Sequence, residues 1–201
     1  MPFWPSRAAS CRRAAMCRSV QSVMLTTERL VLRRFRAADA PVLAAYRSDE
    51  DIARYQSWEP PFTLEQAEDF VGYMAAADPA RPGWFQWAVE LASERALIGD
   101  VGVGLADNLM QADLGFTFAP GRHGHGYATE AIRAVLDRLF RVQGVRRVSA
   151  ECDARNLPSA RLLDRVGFTR EGLLRSHTWI KGEWTDDLIF GLLAEDWLSR
   201  P

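Results

Sequence analysis

The run Pro120-Gly121-Arg122-His123-Gly124-His125-Gly126 is rich in glycine and lies between a stretch of alternating apolar residues and one of helical period. The start of a helix carries unpaired N–H groups and a partial positive charge. Glycines let main chain approach an anion closely, so this place suits a pyrophosphate. The same residues could instead serve only as a tight strand-to-helix turn. Lys181 is the only lysine in the chain, so the Gly-rich turn followed by Lys that cradles a nucleoside triphosphate is missing. A dinucleotide loop asks for G-x-G-x-x-G or A. Gly124-His125-Gly126 is followed by Tyr127-Ala128-Thr129, which leaves the third small position imperfect. Glu151 ends the next strand near the place, ~20 residues on, where a ribose-binding acid is expected. A dinucleotide-binding oxidoreductase therefore stays open on these residues.

Other chemistries have less to stand on. His123 and His125 could form a metal pair, but a structural zinc site needs a set of four ligands at suitable spacing. Beyond them only His177 and the scattered Cys11, Cys17 and Cys152 remain, so no metal is expected. Cys152 has no clear His partner in sequence. Its alternation with Val148 and Ala150 reads as a small buried residue. Schiff-base chemistry would have to use Lys181, in Trp179-Ile180-Lys181-Gly182-Glu183-Trp184, which reads as a hairpin turn with Gly182 at its tip.

The elements that must position these residues follow from periodicity. Leu25 to Arg33 reads as a first strand, with Leu30 and Leu32 on one side. Asp39 is expected to cap a helix whose stripe is Ala40, Leu43, Ala44 and Tyr46. Trp58-Glu59-Pro60-Pro61 is a break. Thr63 opens a second helix, with Glu65 and Gln66 behind it as in a capping box. Phe85, Trp87, Val89 and Leu91 alternate with Gln86, Ala88 and Glu90, the pattern of a half-buried strand. Leu97–Leu105 and Leu114–Phe118 continue an antiparallel meander.

The rhythm then changes. After the glycine loop, Ala131, Ile132, Val135, Leu136, Leu139 and Phe140 form a helical stripe that Gly144 ends. Residues 145–152 are another strand. Strand, helix and strand in this order suggest a right-handed crossover with parallel strands. Asn156-Leu157-Pro158-Ser159 leads into a short helix closed by Gly167, and 168–180 with 184–193 reads as a final hairpin.

The chain has 201 residues, 48% of them hydrophobic and 25% charged, which is ordinary globular composition. That length suits one domain with a sizeable core. No apolar run approaches the ~18–20 residues of a membrane-spanning helix, so no membrane role is expected. A net charge of −1 argues against a nucleic-acid partner. Three cysteines cannot form a disulfide framework, which fits a reducing cytoplasm. Residues 1–27 hold Arg7, Arg12, Arg13 and Arg18 and no acid. Residues 1–23 are therefore expected to be a disordered or dispensable extension, in which Cys11 and Cys17 do nothing structural, and residues 24–201 a single domain.

Several strings together resemble the GNAT acetyltransferases, in the branch of ribosomal-protein N-acetyltransferases. The family's Q/R-x-x-G-x-G/A motif falls on His123-Gly124-His125-Gly126-Tyr127-Ala128, followed by Thr129-Glu130-Ala131. Asn156-Leu157-Pro158-Ser159 with Val166-Gly167-Phe168 is a second match. Glu171-Gly172 and Arg175, then Gly182, Trp184 and Asp186, is a looser third, and Thr27-Glu28-Arg29-Leu30-Val31-Leu32-Arg33 is typical of the opening. The resemblance spans roughly residues 25–198. It implies an α+β GNAT fold: a mixed, mostly antiparallel sheet of about seven strands with a splayed parallel pair, flanked by about four helices.

The resemblance also implies acetyl-CoA as co-substrate and an amine-bearing acceptor, either a protein N-terminus or a small molecule, with the protein a monomer or homodimer. The splayed pair would be 114–118 and 145–152. Phe116 and Phe118 would offer main chain to the pantetheine arm, as in strand addition. Gly124, His125, Gly126 and Ala128 would present N–H groups to the diphosphate. His123 stands where Gln or Arg is usual, and lacks the permanent charge and fork of Arg. Asn156 and Ser159 would reach the cofactor from the other wall.

Glu151, five residues before Asn156, matches a family catalytic glutamate and is the expected general base, the alternative being an ordinary strand-end glutamate. Many members place a Tyr acid where this chain has Leu163, so Ser159, Tyr127 and His125 are the remaining options, or no acid is needed. Trp58, Glu59 and Trp84 are the expected acceptor-side residues, since aromatic walls with carboxylates suit a cationic amine. A catalytically silent acyl-CoA sensor is the reading outside enzymes.

Overall fold

The computed structural model describes residues 24–199. Expectations for 1–23, Cys11 and Cys17 lie outside the described residues. The strands are β1 (Leu25–Thr26), β2 (Leu30–Arg33), β3 (Gly83–Leu91), β4 (Ala96–Leu105), β5 (Gln111–Phe118), β6 (Arg147–Asp153), β7 (Thr169–Ile180) and β8 (Glu183–Leu193). The helices are α1 (Ala40–Arg47), α2 (Glu50–Ala53), α3 (Leu64–Ala76), α4 (Tyr127–Asp137), α5 (Leu157–Val166) and α6 (Ala194–Leu198). A π-helical turn, Arg138–Val142, continues α4 before Gly144 closes it with a left-handed φ of 72°.

The strands form one sheet in the order β1-β2-β3-β4-β5-β6-β8-β7. All pairs are antiparallel except β5 with β6. This is the expected mixed architecture, with eight strands among the described residues. The first stretch counts twice because Leu30 N–H donates to Thr27 Oγ1 at 3.0 Å, turning the chain so that Leu25 lies opposite Leu32. Of the helices, α2 and α6 are the short ones that periodicity did not show. A single parallel pair also lacks the doubly wound parallel sheet of a dinucleotide-binding fold.

Both faces of the sheet are covered. One core joins the sheet to α4 and α5 through Trp87, Val101, Ile132, Leu136, Val148, Leu163 and Phe190. A second core lies under α1 and α3 and includes Tyr46, Phe62, Phe70 and Ala88. The second core corrects the half-buried reading of β3: Gln86 and Ala88, expected to face solvent, are 8% and 0% exposed. Asp39 also departs from expectation. It precedes α1 without a side-chain cap, and its carboxylate instead takes Arg33 Nη1 and Nη2 at 2.7 and 2.9 Å. Thr63 and Gln66 form the expected capping box on α3.

A candidate acetyl-transfer site at the splayed strands

The parallel pairing of β5 and β6 runs only from Gln111↔Arg147 to Leu114↔Ala150. Beyond it the strands separate, each still bonded to its outer neighbour: Phe118 lies opposite Gly99 of β4, and Asp153 opposite Asp187 of β8. Main-chain groups alternate sides along a ladder. Ala119 N–H donates to Ile98 C=O at 3.0 Å, so the polar groups of Phe118 and Phe116 turn away from β4. Ala154 N–H donates to Asp186 C=O at 2.8 Å, so those of Asp153 and Glu151 turn away from β8. Both sets face the gap, and extended main chain in such a gap needs partners. Phe116 and Phe118 are the expected residues on this wall, and the facing main chain of Glu151 and Asp153 adds to them.

Two of these groups already have partners. His123 Nε2 donates to Phe118 C=O at 2.8 Å, so the ring turns back on β5 instead of reaching toward the helix. Asp153 C=O accepts from Asn156 N–H at 2.8 Å.

The glycine loop delivers the chain into α4. Gly124 and Gly126 have φ of 81° and 80°, a conformation that costs an L-residue strain. Gly126 precedes α4 with no side-chain cap. Among the described residues, the N–H groups of His125, Tyr127, Ala128 and Thr129 donate to no protein acceptor. The loop is held from outside by a residue set to which sequence reasoning gave no role. Arg29 Nη1 donates to His125 C=O at 3.0 Å, Arg29 Nη2 pairs with Glu130 at 2.6 Å, and Thr27 Oγ1 donates to Glu130 at 2.6 Å. The Arg29 guanidinium also lies 4.8 Å from the Tyr127 ring centre. Burial would raise the Glu130 pKa, but the bonds from Thr27 and Arg29 outweigh it and hold the carboxylate below its ordinary value.

On the far wall, Asn156 caps α5 by accepting Ser159 N–H on Oδ1 at 3.2 Å, which occupies that oxygen and leaves its amide nitrogen. Ser159 is half-buried in the first turn of α5. Leu163 is 1% exposed and part of the core. Cys152 faces that core and burial pushes its thiol up to about 11, so it is not a thiolate nucleophile at neutral pH.

Trp84 and Glu151 share the other face of the sheet. Trp84 lies opposite Gly104, Gly104 opposite Asp113, and Asp113 opposite Ser149, whose hydroxyl donates to Asp113 at 3.0 Å. Glu151 follows on the same face two residues later. The indole of Trp84 lies over three glycines. A Cβ at Gly104 would sit 2.8 Å from it, one at Gly102 closer still, and one at Gly115, just past the last paired residues, 3.5 Å away. Trp84 therefore reaches the mouth of the gap.

Trp58 does not present a free ring face. The Arg47 guanidinium stacks 4.5 Å from its centre, and its indole N–H donates to Arg47 C=O at 2.9 Å. Glu59 is exposed, 4.0 Å from Lys181 Nζ at the tip of the β7–β8 hairpin. Trp58 is thus held against Arg47 of α1 and Glu59 lies by the β7–β8 tip, whereas Trp84 lies over Gly115 at the gap.

Glu151 is half-exposed. Burial and the Asp187 charge push its pKa above the ordinary glutamate value, against a downward pull from His177. The raised direction is what a base working near neutral pH requires.

The comparisons with known proteins agree with this geometry. Residues 29–169 match the family model described as an acetyltransferase (GNAT) domain. The chain belongs to the GNAT family of N-acetyltransferases. It is 30% identical over 173 residues to the uncharacterized N-acetyltransferase YnaD of Bacillus subtilis (strain 168), covering 86% of this chain and 98% of that protein. It is 28% identical over 194 residues to the [ribosomal protein uS5]-alanine N-acetyltransferase of Escherichia coli (strain K12), covering 89% and 95%. Its fold matches a GNAT-family acetyltransferase from Bacillus anthracis with a TM-score of 0.79 at 29% identity, over 86% of this chain and 99% of that one. A likeness of fold, with a TM-score of 0.74 at 23% identity, extends to a spermidine N-acetyltransferase from Vibrio cholerae solved with CoA and spermine, over 86% of this chain and all of that one.

Proposed function

We propose that the chain moves an acetyl group from acetyl-CoA to a primary amine by direct attack in a ternary complex. The observation that carries this is the gap between β5 and β6, into which Phe116 and Glu151 turn main-chain groups beside a helix whose first amides find no protein acceptor among the described residues. The pantetheine arm has amides of its own and pairs along Phe116 and Phe118 like an added strand. The diphosphate sits on the N–H groups of Gly124, His125, Gly126 and Ala128. His123 supports this site by fixing Phe118. Asn156 reaches the cofactor through its free amide nitrogen, and Ser159 through its hydroxyl. No metal takes part.

The acceptor enters over Trp84, with Glu59 and Trp58 at the rim. A primary ammonium has no lone pair, so a proton must leave first. Glu151 takes it, directly or through a water, and the neutral amine attacks the thioester carbonyl. Donors at the oxyanion stabilise the tetrahedral intermediate. As the intermediate collapses its nitrogen gives up a second proton and the thiolate leaves, with Ser159 as the candidate acid, passing its proton to sulfur and regaining one from nitrogen. The E. coli relative's name points to a protein N-terminus as acceptor, and the V. cholerae structure to a polyamine. Asp113 beside Trp84 and the half-exposed Glu151 further along that face suit either cation. Residues 24–201 are the working domain, a cytoplasmic monomer or homodimer without a nucleic-acid partner, and 1–23 are dispensable.

Thermal shift with acetyl-CoA against NAD(H) tests the cofactor, because a ligand that binds only the folded state raises the melting temperature. Thiol release across a panel of peptide and small-molecule amines then tests transfer. A shift with NAD(H) alone would overturn the reading. So would acetyl-CoA binding without thiol release from any amine.

A further inference from the structure

Glu151 is not alone on its face of the sheet. His177 on β7 brings Nδ1 to 3.3 Å from Asp187 Oδ2 and 3.9 Å from Glu151 Oε1. Ligating atoms of the three side chains all lie within 4.8 Å of one another. Asp187 is 4% exposed and also accepts from Thr185 Oγ1 at 3.3 Å, so it is a fixed anchor. His177 and Glu151 are the solvent-facing members, at 46% and 48% side-chain exposure.

His177 reaches this place through an irregularity. The β7–β8 register slips between Leu174↔Asp187 and Thr178↔Thr185, so Arg175, Ser176 and His177 stand opposite Asp186 alone. Ser176 adopts a left-handed φ of 48°, uncommon for a residue with a side chain, and its N–H donates to Asp186 Oδ1 at 2.8 Å. Counted from Leu174, which faces Asp187, a regular strand would turn residue 177 to the opposite face. The bulge turns it to Asp187 instead. Bulges that re-aim a side chain are over-represented beside active sites, and local strain of this kind persists where its surroundings hold it.

We propose that His177, re-aimed by the β7 bulge and anchored on buried Asp187, is a positioning residue that holds Glu151 at the mouth of the β5–β6 gap. The proposal rests on the acetyl-transfer reading and adds to it the residues that set when Glu151 can accept a proton. Asp187 from β8 and Asp113 from β5 disfavour the Glu151 carboxylate, and His177 from β7 favours it. The two partners therefore act on Glu151 with opposite sign.

The test is the pH profile of kcat/KM for the best amine of the panel, measured at saturating acetyl-CoA for the wild type, His177→Gln, Asp187→Asn and Glu151→Gln. His177→Gln should move the acidic limb up by roughly 0.5–1 pH unit, with acetyl-CoA Kd unchanged, and His177→Lys should move it back. Asp187→Asn should move the limb down. A folded His177→Gln enzyme with the wild-type profile, while Glu151→Gln loses turnover, overturns this role and leaves acetyl transfer standing. A wild type that binds acetyl-CoA and releases thiol with no amine overturns both. Loss of turnover on chelation, restored by Zn2+, would also overturn it, by making the three side chains a metal site.

Discussion

Replacing Ala128 by Pro isolates the main-chain grip on the diphosphate. Ala128 is the second residue of α4, and its N–H donates to no protein acceptor among the described residues. Proline is tolerated in the first turn of a helix because the N–H it lacks is unpaired there. This chain already does the same in α5, where Asn156 caps, Leu157 follows and Pro158 takes the second position. The unliganded fold should therefore lose little, and the melting temperature checks that. In the complex the variant lacks one N–H aimed at a charged oxygen, worth about 1.5–3 kcal/mol. At ~1.4 kcal/mol per tenfold, acetyl-CoA Kd should rise about 10- to 100-fold. Calorimetric titration measures it, and KM for the acceptor should barely change. A folded variant that binds acetyl-CoA as tightly as the wild type would refute the placement of the diphosphate on this turn.

Other substitutions probe the remaining parts. Glu151→Gln should cut kcat/KM by about 10²–10⁴ at neutral pH and push turnover to higher pH, with acetyl-CoA Kd nearly intact; an unchanged pH–rate profile would remove Glu151 as base. Arg47→Met leaves the fully buried Asp100 carboxylate facing Tyr46 Oη at 2.5 Å and Gln86 Nε2 at 2.7 Å without a cation. It should cost about 3–5 kcal/mol by denaturant unfolding, much of it recovered by adding Asp100→Asn. Glu130 has a depressed folded pKa, so its stabilisation is full above the unfolded glutamate pKa and is lost as pH falls through the folded one. Glu130→Gln should thus lower stability by about 1 kcal/mol near neutral pH, a modest figure because Arg29 is partly exposed, and flatten its acid dependence in urea melts from pH 7 to 3. Deleting residues 1–23 should leave melting temperature and thiol release unchanged.

The elements that border the gap are legible in the sequence because their signals are local. Alternation marks β3 to β5, glycines mark the entry to α4, and Asn156 with Pro158 marks the start of α5. The features it hid depend on residues distant in the chain. Gln86 and Ala88 alternate as if solvated, and only α1 and α3 crossing that face bury them. Asp39 has the type and place of a helix cap, yet the Arg33 fork takes its oxygens. Trp58 looks like an acceptor wall until Arg47 is found stacked on it. His177 is the clearest case: its role depends on a register slip against β8 that no local pattern encodes.

A crystal structure of the chain with CoA would show directly where the diphosphate and the pantetheine arm lie. Diphosphate oxygens should lie within hydrogen-bond distance of the amides from Gly124 to Ala128, and pantetheine should run between Phe116 and Glu151 with the sulfur toward the Trp84 face. CoA bound elsewhere, with β5 and β6 paired through Phe118 and Asp153, would contradict this placement.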